Sequence, residues 1–256
     1  PISIMPCLAK KVEALYPCFD DAKAGSGHDI DCVLTTRELD RMLKRFSVRI
    51  DTLEEQPFDR PFGKASGAGE IFGATGGVME AALRSAYYYV TGSNPAPNAF
   101  TEVRGVDAQG KSKASDFGGS GQRRNASAGL SWKEASYQVG DLSVKVAIAS
   151  GLQNAANLLE ALKRGDKQYD FVEIMACPGG CVGGGGQPIK DGREQSFERG
   201  EILYGLDQRN EVRFSHENPD IKKTYAEFFD KPLSPKAEQL LHTDQHSWQM
   251  PGERAR

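Results

Sequence analysis

The sequence predicts an α/β fold: a parallel sheet with flanking helices, followed by a helical C-terminal tail. Three observations predict it. Strand-like apolar runs at residues 2–5 and 30–34 alternate with helical segments. The same alternation returns at residues 142–175. After Pro188 the strand patterns stop and short charged helical patterns take over. Alternating strands and helices are the signature of a parallel sheet covered by helices.

In order, residues 2–5 form a short apolar strand that runs into Pro6-Cys7. Residues 9–16 have helical composition, with Val12 and Leu15 on one side. Residues 20–29 are polar and read as a loop, and residues 30–34 as a second strand. Thr35 or Thr36 caps a helix that runs to about Phe46, with Glu38 and Asp40 in its first turns. Residues 51–70 are loop-like. Thr75-Gly76-Gly77 opens the clearest helix, whose predicted buried stripe is Val78, Ala81, Ala82, Leu83, Ala86 and Tyr89. Residues 99–104 are a candidate strand, and the polar residues 107–134 an exposed insertion. A strand at 142–149, a helix at 152–162 and a strand at 169–175 follow, with Leu158, Leu159 and Leu162 as core candidates. The tail then reads as helices at 197–206, 219–229 and 235–241.

Composition excludes several functions. Hydrophobic residues make up 39% and charged residues 26%, and the net charge is −3. No basic excess points to nucleic acid or an anionic membrane. No apolar run approaches the ~18–20 residues that span a bilayer. The first residues lack the basic start and apolar core of a secretion signal, and a start at Pro1 within a strand suggests a fragment of a longer protein. The five cysteines are Cys7, Cys18, Cys32, Cys177 and Cys181, an odd, unevenly spaced set that argues against a secreted disulfide framework. Reduced thiols in a soluble intracellular protein are the expectation, with metal or cluster ligation open to some of them.

Three segments carry candidate chemistry. Cys177-Pro178-Gly179-Gly180-Cys181 is followed closely by Gly183–Gly186. So many glycines cost backbone entropy, which makes sense where the chain must pass close to something bulky. Thiolates at this spacing can reach one iron–sulfur cluster, and exposed N–H groups can donate to an anionic cofactor. The plainer alternative is a flexible loop beside two buried thiols. Cys7 leaves the end of a strand, where ligands bind in open α/β sheets, though taken alone it reads as a core thiol. Gly73–Gly77 is a glycine-rich turn at a helix N-terminus, a ready anion site without the Lys-Ser/Thr of a phosphate loop. His216 and His242 fall outside metal-ligand spacing and read as structural or surface residues. His28 and His246 carry no signal.

Together these segments resemble one family. Met5-Pro6-Cys7-x-x-Lys10-x-x-Glu13 resembles the second signature of the [FeFe]-hydrogenases. The run from Glu173 through Met175, Ala176, Cys177, Gly180 and Cys181 to Pro188 resembles the third. Residues 71–84, 215–219 and 240–243 are similar to the same family. On this resemblance residues 1–189 correspond to the large-subunit catalytic domain, 190–246 to a small-subunit-like helical segment, and 247–256 to a flexible tail.

The resemblance implies one lobe and part of a second around an H-cluster: a [4Fe–4S] cubane joined to a two-iron centre with CO, cyanide and dithiolate ligands. It implies Cys7, Cys177 and Cys181 as cubane ligands, with Cys181 bridging to the two-iron centre. Lys10 would donate to a cyanide and Glu13 would orient Lys10. Met5, Phe72 and Met175 would pack around the two-iron centre, and Gly73 would offer a backbone N–H. The implied activity is reversible reduction of protons to H2, with electrons from ferredoxin or a similar carrier and cluster insertion by maturation proteins. A cytoplasmic or organellar location goes with it. The family's first signature, Thr-Ser-Cys-Cys-Pro-x-Trp, is absent from this sequence. It carries the fourth cubane ligand, so the chain alone should be inactive. Cys18 and Cys32 read as structural thiols rather than substitutes. The rival family reading is a hydrogenase-like protein of iron–sulfur cluster assembly or nuclear recognition, which shares the cysteine loops without making hydrogen.

Overall fold

A computed structural model describes residues 1–16, 19, 27–60, 62–105, 132–192 and 195–242. Cys18, the insertion up to residue 131, His246 and the tail 247–256 lie outside the described residues.

The chain opens with β1 (Ile2–Met5), a single helical turn α1 (Lys10–Glu13), β2 (Cys32–Thr35) and α2 (Thr36–Arg45). Thr35 builds a capping box: its Oγ1 accepts from Glu38 N–H at 3.1 Å, and Glu38 accepts from Thr35 N–H at 2.7 Å. The expected loop at 51–70 contains a second short helix, α3 (Gly67–Glu70). Its glycines hide it from propensity. Its N–H groups are held from a distance, Gly67 by Val212 O and Ala68 by Arg213 O.

Next comes α4 (Gly77–Thr91), entered through Gly76 at φ +84° and left through Gly92 at φ +74°. Its buried face is Gly77, Met79, Glu80, Ala81, Leu83 and Arg84; of the predicted stripe Ala81 and Leu83 are buried, and Val78 and Ala82 half-buried. Ala86 and Tyr89 are exposed, because the helix turns toward an ion network that an apolar pattern cannot reveal. Residues 99–104 form no strand: Thr101–Val103 is a 3-10 turn.

β3 (Lys133–Val139) corrects the C-terminal boundary of the insertion. Trp132 and Lys133 are buried, and Lys133 Nζ donates to Glu102 O at 3.2 Å and Arg104 O at 2.6 Å. A buried lysine at its start disguised the strand. β3 turns through Gly140-Asp141 into β4 (Leu142–Ser150), and the pair is antiparallel. Gly140 at φ +60° suits this two-residue hairpin. After α5 (Leu152–Arg164), β5 (Phe171–Met175) pairs parallel with β4, Ser150 opposite Met175. Of the predicted core leucines, Leu158 is fully buried and Leu162 partly, whereas Leu159 is exposed on the outer face of α5.

The tail contains α6 (Ser196–Arg209), α7 (Pro219–Thr224) continuing as a π turn to Phe229, and α8 (Pro235–Leu241). Among the described residues no helix is long and apolar enough to cross a membrane.

Two compact units emerge. One unit comprises residues 1–63 and 219–256, the other residues 64–218. The first contains the parallel pair β1–β2. The second contains the sheet β3-β4-β5, with a core of Met79, Leu83, Phe100, Val103, Val146 and Ile148 on one side. Trp132, Ala147, Ala149, Ala155, Leu158 and Ala161 form a second cluster.

Candidate functional site

In the second unit the site lies at the C-terminal ends of the parallel strands β4 and β5, where open α/β sheets bind ligands. β5 ends at Met175 and delivers Cys177. The segment from Cys177 to Gln187 then descends through successive turns. Gly180 N–H donates to Cys177 O, Gly183 N–H to Gly180 O, and Gly184 N–H to Cys181 O, at 2.9–3.0 Å. Cys177 is half-buried and Cys181 exposed.

The glycines here serve close approach. Gly180 sits at φ +92°, and a Cβ there would lie 2.8 Å from Gly73 O and from Thr75 N. The cysteine loop therefore rests directly on the backbone of the Gly73–Thr75 turn. Thr75 N–H donates to Gly179 O at 3.1 Å. On the other side α6 supports the loop: Arg199 donates to the carbonyls of Val182 and Pro188. Leu203 fills the space beside Gly73, where a Cβ would meet its Cδ1 at 2.7 Å.

Two polar side chains with no role assigned from the sequence tie these pieces together. Ser150 Oγ accepts from Gly179 N–H at 3.0 Å. Glu173 accepts from Gly76 N–H at 2.6 Å and Met79 N–H at 2.7 Å. Burial pushes the Glu173 carboxyl up, partly offset by those two N–H bonds. Its position four residues before Cys177 was part of the quoted motif, but nothing in the sequence says that it caps a helix from another element.

Beneath the turn lies a buried ion network. Arg84 bridges Glu80 at 2.7 Å and Asp207 at 2.8 Å, Arg104 reaches Glu80 at 2.6 Å, and Arg213 reaches Asp207 at 2.6 Å. Burial works most strongly against the charge of Asp207, but hydrogen bonds from Arg84 and Arg213 outweigh it and hold the carboxyl below its usual range. Arg104 also lies over the Tyr204 ring, 4.2 Å from its centroid. His216 is structural, stacked on Tyr88 at 4.1 Å and bonded to Asn94 at 2.8 Å. His242 is exposed.

Of the residues singled out from the sequence, Phe72, Gly73, Met175, Cys177 and Cys181 belong to this unit. Phe72 is exposed, and Gly73 and Met175 are half-buried. Met5, Cys7, Lys10 and Glu13 belong to the other unit. There Cys7 is half-buried just beyond β1, and Lys10 Nζ lies 2.5 Å from Glu13 Oε2. Cys32, expected as a structural thiol, is exposed on β2, because its side chain falls on the outer face of a two-stranded sheet. Among the described residues no three His, Cys, Asp or Glu side chains gather as a metal site. Two soft thiols on one braced loop nevertheless fit thiolate ligation of an iron–sulfur cluster, as two of a cubane's four ligands.

Residues 1–185 match the family described as iron only hydrogenase large subunit, C-terminal domain, and residues 196–248 match iron hydrogenase small subunit. The chain is 41% identical to the NADP-reducing hydrogenase subunit HndD of Solidesulfovibrio fructosivorans, over 94% of this chain and 37% of that protein. It is 31% identical to the cytosolic Fe-S cluster assembly factor narfl of Xenopus tropicalis, over 96% of this chain and 47% of that protein. Among solved structures, a variant of [FeFe]-hydrogenase HydA1 from Chlamydomonas reinhardtii superposes with a TM-score of 0.66 at 39% identity, covering 94% of this chain and 62% of that one. The chain thus spans less than half the length of these two curated relatives.

Proposed function

Because this chain belongs to the iron-only hydrogenase family, we propose that it forms part of an enzyme that reversibly reduces protons to dihydrogen. The observation that carries this reading is the Cys177–Cys181 loop, braced at the strand ends against the turn that bears Phe72 and Gly73. In this reading Cys7, Cys177 and Cys181 would be the thiolates that hold a [4Fe–4S] cubane, and Cys181 would also serve the two-iron centre. A cubane takes four ligands, and these cysteines would supply three of them. When bound, the H-cluster would relay electrons from the external donor and supply the metal centre for proton reduction.

The chain's own residues bind and shield. Lys10 offers three ammonium donors to an anionic cyanide ligand, and Glu13, already paired with it, sets its direction. Met5, Phe72 and Met175 place apolar atoms around the two-iron centre and exclude water. Gly73 contributes a backbone N–H. Electrons arrive from ferredoxin or a similar carrier, and maturation proteins insert the cluster. A cytoplasmic or organellar setting suits its reduced thiols.

A second reading has a specific observation behind it. The 31% identity to the cluster assembly factor extends over 96% of this chain, so an iron–sulfur role without hydrogen chemistry fits the same loops. Infrared spectroscopy of the full-length protein, co-expressed with maturation proteins, separates the two. We expect bands of metal-bound CO and cyanide together with H2 evolution from reduced ferredoxin. An iron–sulfur signal without those bands would overturn the hydrogenase reading in favour of the second.

A further inference from the structure

We propose that Ser150 and Glu173 are positioning residues that hold Cys177 in register with the Phe72–Gly77 turn; this rests on the reading that the cysteine loop ligates iron. Both side chains are nearly buried, Ser150 at 8% and Glu173 at 5% exposure. Neither is spent on the sheet, because strand pairing uses their backbones only.

Glu173 substitutes for something α4 lacks. No side chain at Gly76 caps this helix, so its first N–H groups need an acceptor from elsewhere. The Glu173 carboxylate takes two of them, from Gly76 and Met79. The acceptor could come from any neighbouring element. Its placement on the strand that leads into Cys177 means that the cap also fixes the distance between that strand end and the turn. Ser150 closes the circuit from the adjacent strand. Its Oγ accepts from Gly179 N–H at 3.0 Å, and it lies 3.4 Å from Thr75 Oγ1 and 3.5 Å from Cys177 O, both longer and weaker contacts. The direct bond from Thr75 N–H to Gly179 O completes a ring of β5, cysteine loop, turn and helix start. A ligand loop whose geometry is set before its metal arrives needs such a supporting shell.

The test uses the full chain without cluster and follows alkylation of each cysteine by iodoacetamide with mass spectrometry. Cys7 and Cys32, in the other unit, serve as internal references. Ser150→Ala removes the hydroxyl, and Glu173→Gln leaves one oxygen where two accepted. Each should raise the rate at Cys177 by about five- to tenfold, the range expected for one lost hydrogen bond. Cys7 and Cys32 should not change, and Ser150→Thr, which keeps the hydroxyl, should restore the slow rate. An unchanged Cys177 rate in both variants, or an equal rise at all three cysteines, would overturn the proposal. After reconstitution with iron and sulfide, both variants should also shift the g values of the reduced cluster. If replacing Cys177 leaves cluster uptake by the full-length protein unchanged, the ligand reading fails, while the alkylation result still decides whether the two residues brace the loop.

Discussion

At the scale of single residues, burial decides which charges matter. Arg84 and Asp207 are almost fully buried and bond each other twice at 2.8 Å. Arg84→Met strands the carboxylates of Glu80 and Asp207 with fewer partners, and breaking a buried ion pair typically costs about 3–5 kcal/mol. Lys44, 75% exposed, also contacts Asp40 at 2.8 Å, yet Lys44→Ala should cost less than about 0.5 kcal/mol. Urea denaturation of the two variants measures the contrast, and similar midpoints would contradict it. Glu38 gives a pH signature instead. A backbone bond from Thr35 and the Lys11 ammonium hold its carboxyl at about 2, against an ordinary 4.5. A depressed acid stabilises the fold above its unfolded pKa and loses that contribution as pH falls, here between 4.5 and about 2. Glu38→Gln can still accept from Thr35 but carries no charge for Lys11. The stability gap between the two proteins should therefore be constant above pH 5 and shrink below 4.5. At this scale the Thr35 cap was legible in the sequence, and the Cys177–Cys181 spacing marked a candidate loop, because each signal is local. The roles of Glu173 and Arg84 stayed hidden, since the bonds from Met79 to Glu173 and from Arg84 to Asp207 span 94 and 123 positions.

At the scale of elements, strands and helices with plain periodicity were legible, and those shaped by distant contacts were not. β4, α5 and β5 fall where their strand and helix patterns place them. β3 was partly taken for an insertion because Lys133 spends its charge on two carbonyls rather than on solvent. α3 was taken for a loop because its donors are matched by Val212 and Arg213. The cysteine loop belongs to this scale too, since its shape depends on the turn beneath it. Gly180 has both reasons to be glycine: a left-handed φ and backbone atoms where a Cβ would go. Gly180→Ala therefore strains the loop and pushes it off Gly73–Thr75. The expected loss is about 1–3 kcal/mol, with faster exchange of the Gly179 and Thr75 amides. Gly92→Ala is the control: it also has φ > 0, at the end of α4, but nothing lies within 4 Å of its Cβ position. It should strain the chain there without altering the loop amides.

At the scale of the whole molecule, burial is shared unequally between the two units. Among the described residues, the unit of residues 1–63 and 219–256 buries only Val33, Thr35, Ser234 and Ala237. It leaves Ile2, Ile4, Leu8, Leu15, Phe46 and Phe58 exposed. A two-stranded sheet with so little apolar cover is at best marginally stable by itself. The unit of residues 64–218 holds three apolar clusters and the ion network. No sequence pattern announced this division, because the contacts that draw it, such as Arg84 with Asp207, join segments far apart in the chain. Local opening free energy follows buried apolar contact, so the two units should not open together. In native-state hydrogen exchange, amides of β1, β2 and α2 should exchange with protection at least about 2 kcal/mol below that of β4 and β5. Arg84→Met should lower protection in β4 and β5 and leave β1 and β2 where they were. Equal protection across both sheets would mean that one cooperative core spans the chain. A variant effect confined to β1 and β2 would place the stabilising network in the wrong unit.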